Sequence, residues 1–241
     1  MSTSYYVIVE GPIGVGKTTL VRRLAERLPC RTVYEIFEEN PFLAGFYQDR
    51  DRYALQTEMF FLLSRFRQQE AFAQAALFEP YAISDYLFAK SRLFARETLP
   101  DHEFSLFEEM FRVLSRTIPR PDLVIYLHAP LPVLLDRIAR RGRPYEANFD
   151  AEYLGNLCRV YEELFAHYDA SPLVSVDTTD LNFATSDAAL ERMLQVLHER
   201  PARRMHLSSF ELSSPVSSCE LSSSELSIPG QSAVEPPFFD R

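Results

Sequence analysis

Apolar residues along this chain fall into short runs separated by longer periodic stretches. The runs cover residues 5–10, 32–36, 81–85, 123–129 and 173–177. Four are rich in β-branched or aromatic residues and short enough for buried parallel strands. The run at 81–85 is weaker and takes its place from the pattern. Helical spacing fills the gaps. Residues 17–28 carry Leu20, Val21, Leu24 and Leu28, and residues 52–77 carry a stripe of Leu55, Met59, Leu62 and Phe66. Further helices are expected over 104–116, 152–168 and 187–198. Strands and helices that alternate, joined by right-handed crossovers, predict an α/β fold: a five-stranded, doubly wound parallel sheet with helices on both faces. Ligands of such sheets sit beyond the carboxyl ends of the strands.

The pattern changes after about Arg204. Short serine-rich repeats begin at Ser208, Ser217 and Ser223, followed by Pro229-Gly230 and Pro236-Pro237. Large apolar residues are too sparse there to build a core. The expectation is a domain over residues 1–203 and a disordered tail over 204–241.

The length of 241 residues suits one α/β domain. A net charge of −9 argues against nonspecific nucleic-acid binding, which needs a basic surface. No basic-then-apolar leader and no long apolar span are visible, which predicts a cytoplasmic protein without a membrane anchor. Cys30, Cys158 and Cys219 lie far apart and fit no metal-ligand spacing.

One segment carries specific chemistry. Glu10-Gly11-Pro12-Ile13-Gly14-Val15-Gly16-Lys17-Thr18-Thr19 follows the first strand and opens the first helix. Its glycines let backbone N–H groups of Gly11, Gly14, Val15, Gly16, Lys17, Thr18 and Thr19 curl around phosphates at a helix N-terminus. Lys17 reaches the terminal phosphates, and the Thr18 hydroxyl is placed to ligate Mg²⁺. The loop implies a nucleotide such as ATP.

Three other groups bear on the acceptor. Glu35, at the end of the second strand, can face the nucleotide and accept a proton from an incoming hydroxyl; the alternative is a solvated acidic turn. Asp85, at the end of the third strand, can orient Mg²⁺ or its waters; the alternative is a helix N-cap. Arg137, Arg141 and Arg143 lie in a basic cluster that ends in Gly142 and Pro144. They suggest a lid over the triphosphate, against the alternative of a solvated helix end.

Together these motifs resemble the deoxyribonucleoside kinases, and most of all the bacterial deoxyguanosine/deoxyadenosine kinase branch. The resemblance spans roughly residues 4–200. It runs through Gly11 to Thr18; Glu35 through Asn40-Pro41-Phe42-Leu43 to Phe46-Tyr47; Gln56 to Phe61; Asp85-Tyr86 through Lys90 to Phe94-Ala95; and Arg137 to Glu146. It implies a P-loop kinase fold with a lid and a homodimer joined through long helices. It further implies phosphorylation of the 5′-hydroxyl of a deoxynucleoside by ATP with Mg²⁺. By the same resemblance Glu35 is the general base, Tyr47 and Glu146 hold the 3′-hydroxyl, and Phe94 packs on the base. Arg137, Arg141 and Arg143 match the lid arginines, and Asp85 matches the acid of an Asp/Glu-Arg-Ser motif.

The chain departs from the pattern in places. Tyr86 stands where many relatives carry an arginine beside the general base. Lys90, one helical turn on, is a candidate for the missing positive charge. Asn40 stands where animal relatives have a tryptophan. Where those relatives read the base with a glutamine, this chain has Glu58, while Gln56 lies two positions earlier on another face. An ionised Glu58 accepts hydrogen bonds only, which favours guanine with its adjacent N1–H and N2 amino donors. The alternative is that Glu58 pairs with Arg65.

Within the same family a deoxyadenosine-preferring deoxynucleoside kinase is the alternative, and two other functions compete. A nucleoside monophosphate kinase of the thymidylate kinase type shares loop, sheet and lid. It needs a cation for the acceptor's phosphate, and residues 35–39 are acidic instead. A nucleotide-dependent switch would bind ATP without phosphorylating an acceptor.

Overall fold

Six segments pair edge to edge in parallel register: β1 (Tyr5–Glu10), β2 (Cys30–Val33), β3 (Tyr81–Ser84), β4 (Leu123–His128), β5 (Leu173–Asp177) and β6 (Met205–Leu207). Their spatial order is β2-β3-β1-β4-β5-β6. The helices are α1 (Lys17–Ala25), α2 (Leu43–Gln48), α3 (Arg50–Ala75), α4 (Lys90–Thr98), α5 (Asp101–Leu114), α6 (Leu131–Arg141), α7 (Ala151–Ala166), α8 (Asp187–Glu199) and α9 (Ser209–Ser213). This computed structural model describes residues 4–37, 39–75, 79–143 and 150–213. No helix among them is long and apolar enough to cross a membrane.

Alternate residues of each strand feed opposite faces. Val7, Val9, Ile83, Ile125, Val174 and Val176 pack with Leu20, Leu24 and Leu190 of α1 and α8. Tyr6, Ile8, Val124 and Tyr126 meet Phe72 of α3 and Tyr161 and Phe165 of α7 on the other face. A third cluster, around Phe46, Leu62, Phe88, Phe107, Tyr153 and Leu157, joins α2, α3, α5 and α7 beyond the strand ends. It forms the wall of the site described below.

Two expectations need correction. β2 ends at Val33, not at residue 36. It pairs with β3 only over Cys30–Val33, and the two strands stop together. Residues 34–37 then leave the sheet, which frees Glu35 to turn into the cleft. The sheet also has a sixth strand, placed where the tail was expected to begin. Three residues are too few to show as an apolar run, yet Leu207 and Leu212 are both buried in the core. The first serine repeat is a helix start. Ser208 donates from N–H and hydroxyl to Glu211 Oε2, both at 2.7 Å, and Glu211 N–H donates back to Ser208 Oγ at 3.3 Å. The boundary at 204 therefore moves to at least 213. The later repeats and Cys219 lie outside the described residues.

A chain cut after Arg204 is accordingly expected to lose stability. Burying each leucine contributes about 1.5–3 kcal/mol. Thermal unfolding of the truncated and full chains reads the difference, and equal midpoints would show that β6 and α9 contribute nothing.

Candidate active site

The phosphate loop follows from its glycines. Gly11, Gly14 and Gly16 take φ of 150°, 85° and 106°, which side chains disfavour. At Gly14 a Cβ would also lie 2.9 Å from Ile138 Cγ1, so α6 packs directly on the loop. The Lys17 ammonium donates to the carbonyls of Gly11 at 2.7 Å and Pro12 at 3.1 Å. Burial pushes its pKa down to about 8, helped by Lys90 and opposed by Glu10, Glu35 and Asp85.

A buried network of charges lies beside the loop. Asp85 follows β3 directly and works in two directions. Its Oδ2 accepts from Thr18 Oγ1 at 2.5 Å, and its Oδ1 accepts from the Glu35 N–H at 2.7 Å. Burial raises its pKa most strongly, with the Thr18 hydrogen bond acting against that. Glu35 in turn is gripped by two cations. Arg65 Nε and Nη2 donate to its Oε1 at 2.9 and 2.5 Å, and Lys90 Nζ donates to its Oε2 at 2.9 Å. Burial alone would push the Glu35 carboxyl up. The charges and hydrogen bonds of Lys90 and Arg65 outweigh it and hold the group well below the usual carboxylate range.

Arg65 is itself fixed, with Nη1 donating to Ser91 Oγ at 2.7 Å and its guanidinium 5.0 Å over the Phe61 ring. Glu10 closes the network from below. Its Oε1 accepts from the Gly11 N–H and the Tyr161 hydroxyl, and its Oε2 from the Leu87 N–H.

A pocket is lined by these groups: Gly14, Lys17 and Thr18, then Glu35, Arg65, Asp85 and Lys90, together with the aromatic side chains of Phe46, Tyr47, Phe61, Phe94 and Tyr153. Glu58 of α3 also lines it, only 2% exposed. Its Oε1 has a long bond from the Thr98 hydroxyl at 3.4 Å, and its Oε2 has no hydrogen-bond partner among the described residues. Burial pushes its pKa up to about 7, against the pull of Arg65 and the Thr98 bond.

Residues 7–199 match a family described as "Deoxynucleoside kinase". The chain belongs to the deoxynucleoside kinase family. It is 37% identical over 182 residues to "Deoxyguanosine kinase" of Bacillus subtilis (strain 168), covering 75% of this chain and 88% of that one. It is 30% identical over 208 residues to "Deoxyadenosine kinase" of Lactobacillus acidophilus, covering 80% and 95%. A structure of deoxyadenosine kinase from M. mycoides with dCMP and dCDP superposes with a TM-score of 0.70 over 80% of this chain and 99% of that one. At 23% identity that likeness speaks for the fold.

Set against the sequence expectations, the kinase brings most of the named residues together. Lys17, Thr18, Glu35, Tyr47, Glu58, Asp85, Lys90, Phe94, Arg141 and Arg143 all line one pocket. Phe94 meets Tyr161 edge-on, and Arg143 lies 4.0 Å over the Phe37 ring. Gln56 is exposed on another face of α3. Asp85 caps no helix, because α4 starts only at Lys90.

Two expected site residues lie elsewhere. Tyr86 is fully buried outside the pocket, its hydroxyl donating to the Arg65 carbonyl at 3.3 Å. The segment after β3 turns inward, where Glu10 holds the Leu87 N–H, and carries Tyr86 under α3. Arg137 is not poised over the pocket either. It donates to the carbonyls of Thr178 and Leu181 at 2.5 and 2.9 Å and reaches Val15 O at 3.5 Å. It therefore braces α6 against the β5–α8 connection and the phosphate loop. Glu146 lies outside the described residues.

Sequence reasoning missed Arg65 as the partner of Glu35, and Glu10 altogether. The available signal for Arg65 was its spacing. It stands three positions after the buried Leu62 and seven after Glu58, on one helix face.

Proposed function

We propose that this kinase transfers the γ-phosphoryl group of ATP to the 5′-hydroxyl of a purine deoxynucleoside, with deoxyguanosine favoured. The observation that carries this reading is that two carboxyls, Glu35 and Glu58, line one pocket with the phosphate loop. Glu35 is tied through Asp85 to Thr18 of the phosphate loop, and Glu58 lies near Thr98 and Tyr153. The deoxyguanosine kinase name of the Bacillus subtilis relative agrees with it.

Phosphoryl transfer through a loose transition state asks for positioning and charge neutralisation more than for covalent chemistry. The polyphosphate would lie on the backbone amides of residues 14–19, with Lys17 leaving its two carbonyl partners for the phosphate oxygens. The Thr18 hydroxyl and the Asp85 carboxylate form a hard-oxygen pair that fits Mg²⁺. Bound there, the ion would neutralise charge on the phosphates. Glu35 accepts the hydrogen bond of the 5′-hydroxyl and takes its proton as the bond to the γ-phosphorus forms and the bond from that phosphorus to the bridging oxygen breaks, releasing ADP. Lys90 and Arg65 keep it ionised and aimed. Arg141 and Arg143 line the same pocket and add positive charge. Tyr47 holds the 3′-hydroxyl, together with Glu146. Phe94 packs on the base, and Glu58 accepts from guanine N1–H and N2.

A panel of nucleosides with labelled ATP at pH 8 tests the reading. The expected order of kcat/KM is deoxyguanosine, deoxyinosine, then deoxyadenosine and the pyrimidines. Each well-matched pair of base hydrogen bonds is worth about 1–3 kcal/mol, if base-reading energies carry over from DNA. Preference for deoxyadenosine at this pH would overturn the assignment of the base.

The same reading places the kinase in the cytoplasm as a homodimer. Leu106, Met110 and Val113 of α5 are exposed at helical spacing and give two copies an apolar face to share. A monomer in sedimentation equilibrium at micromolar concentration would remove the dimer.

A further inference from the structure

We propose that Glu58 reads the base in two protonation forms, the carboxylate taking guanine alone and the carboxylic acid taking adenine as well, so that the kinase narrows its purine choice as pH rises. This deepens the reading of Glu58 given above and rests on it.

The geometry is the starting point. The Glu58 carboxyl is a buried group in the pocket lining, and its Oε2 has no partner among the described residues. A buried acceptor without a donor is costly, so that atom is where a ligand hydrogen bond is worth most. The bond from Thr98 to the other oxygen is long, at 3.4 Å, and leaves it able to accept a second.

Base chemistry then separates the two forms. A carboxylate only accepts. Guanine N1–H and N2–H supply two parallel donors to its two oxygens. Adenine offers N6–H but sets the N1 lone pair against the second oxygen. Once protonated, the carboxyl offers one donor and one acceptor side by side. Its O–H meets adenine N1, and its carbonyl oxygen accepts from N6–H. The acid also meets guanine at O6 and N1–H, so the neutral form accepts either purine.

The surroundings place the two forms close in energy. Facing Glu58 are Arg65 on its own helix, Lys90 and Thr98 of α4, and Glu35 from the segment after β2. Tyr47 of α2, Tyr153 of α7, Arg141 of α6 and Arg143 share the pocket. Arg65 and Lys90 favour the carboxylate, and both are already engaged by Glu35. Burial favours the acid more strongly and Glu35 adds to it, so the pKa rises to about 7, within the range where a kinase works.

The experiment measures kcat/KM for deoxyguanosine and deoxyadenosine between pH 6 and 8.5. Their ratio is used because titrations common to both substrates, those of Lys17 and of ATP included, cancel. The ratio of deoxyguanosine to deoxyadenosine use is expected to be flat at low pH. Above the midpoint it should climb towards tenfold per pH unit, as a one-proton titration requires, roughly. In Glu58→Gln the ratio should be smaller and flat, because an amide carries a donor and an acceptor at every pH.

Calorimetry of the wild-type enzyme in two buffers of different ionisation enthalpy gives a readout independent of any variant. Deoxyadenosine binding at pH 8 should take up a proton that deoxyguanosine binding does not. A ratio independent of pH, with equal proton uptake for both purines, overturns the two-form reading. If Glu58→Gln still shifts the ratio in that case, Glu58 reads the base in one form only. An unchanged ratio in the variant removes it as base reader altogether.

Discussion

Glu35→Gln should lower kcat by about 10²–10⁴-fold, the usual share of a general base. An amide keeps the shape of the side chain and still accepts one hydrogen bond, but it cannot take the 5′-hydroxyl proton. Nucleoside binding should change much less, because the base and the 3′-hydroxyl are held elsewhere. The substitution also removes the counterion of Arg65 and Lys90, whose side chains are 3% and 5% exposed. Breaking a buried pair costs about 3–5 kcal/mol, so unfolding should move to lower temperature as well. Single-turnover rates measured well below the new midpoint separate the two effects. Turnover within threefold of wild type, roughly, would shift the role to another group, with Asp85 the first suspect.

The second large effect is expected at Arg65. Arg65→Met removes two of the three hydrogen bonds that hold the Glu35 carboxylate and one of its two cationic neighbours. The sign follows from the physical setting. Burial pushes Glu35 up, and in the wild type Lys90 and Arg65 more than reverse it. Without Arg65 the carboxyl pKa rises, and the acid form becomes populated at mildly acidic pH. The variant should therefore lose kcat as pH falls from 8 towards 6, while the wild type shows no such limb from Glu35. At pH 8 the variant should still turn over more slowly, by about tenfold or more, because an unaimed carboxylate is a poorer acceptor. Arg65→Lys should restore part of the pH profile but less of the rate, since an ammonium supplies charge without the planar fork.

Stability obeys the same linkage in the wild type. Glu35 titrates lower when folded than unfolded. Its contribution is fully present above the unfolded value of about 4.3 and is lost only as pH falls towards the folded one. Variants whose kcat profiles matched the wild type at every pH would remove Arg65 as a positioning residue.

The phosphate loop, the parallel α/β sheet and the gathering of Lys17, Glu35 and Asp85 in one pocket were legible because each leaves a local mark in the sequence. Glycines, a lysine and a carboxylate at a strand end mark themselves. What was not legible lies on α3. The apolar stripe of Leu55, Met59, Leu62 and Phe66 has the right period, but only Leu62 of these is fully buried. The most buried face is turned aside from it and carries Glu58, Leu62, Arg65 and Gln69. Hydrophobic periodicity finds the face that packs on other side chains. It overlooks a face that is buried against a ligand cavity and a charge network, where polar residues belong. Tyr86 was misplaced for a related reason. Counting from Lys90 assumed one continuous helix, and the chain instead turns inward between β3 and α4. Arg137 looked like its neighbours in a basic cluster, and only the carbonyls of the β5–α8 connection, far along the chain, set it apart. β6 escaped because three residues carry no period.

The face of α3 that carries Glu58 and Arg65 has a consequence for size. The two positions are seven residues apart, which on a helix is two turns, or about 10.5 Å. In the proposed reading one end addresses the base edge, and the other fixes the carboxylate that meets the 5′-oxygen. On that reading a rigid rod would gauge the nucleoside from its reacting hydroxyl to its recognition edge. A purine reaches across that span with its six-membered ring. A pyrimidine, one ring shorter, either falls short of Glu58 or draws its 5′-oxygen away from Glu35. Discrimination by length then acts on turnover as much as on affinity, because a base that reaches for its partner carries the nucleophile out of line.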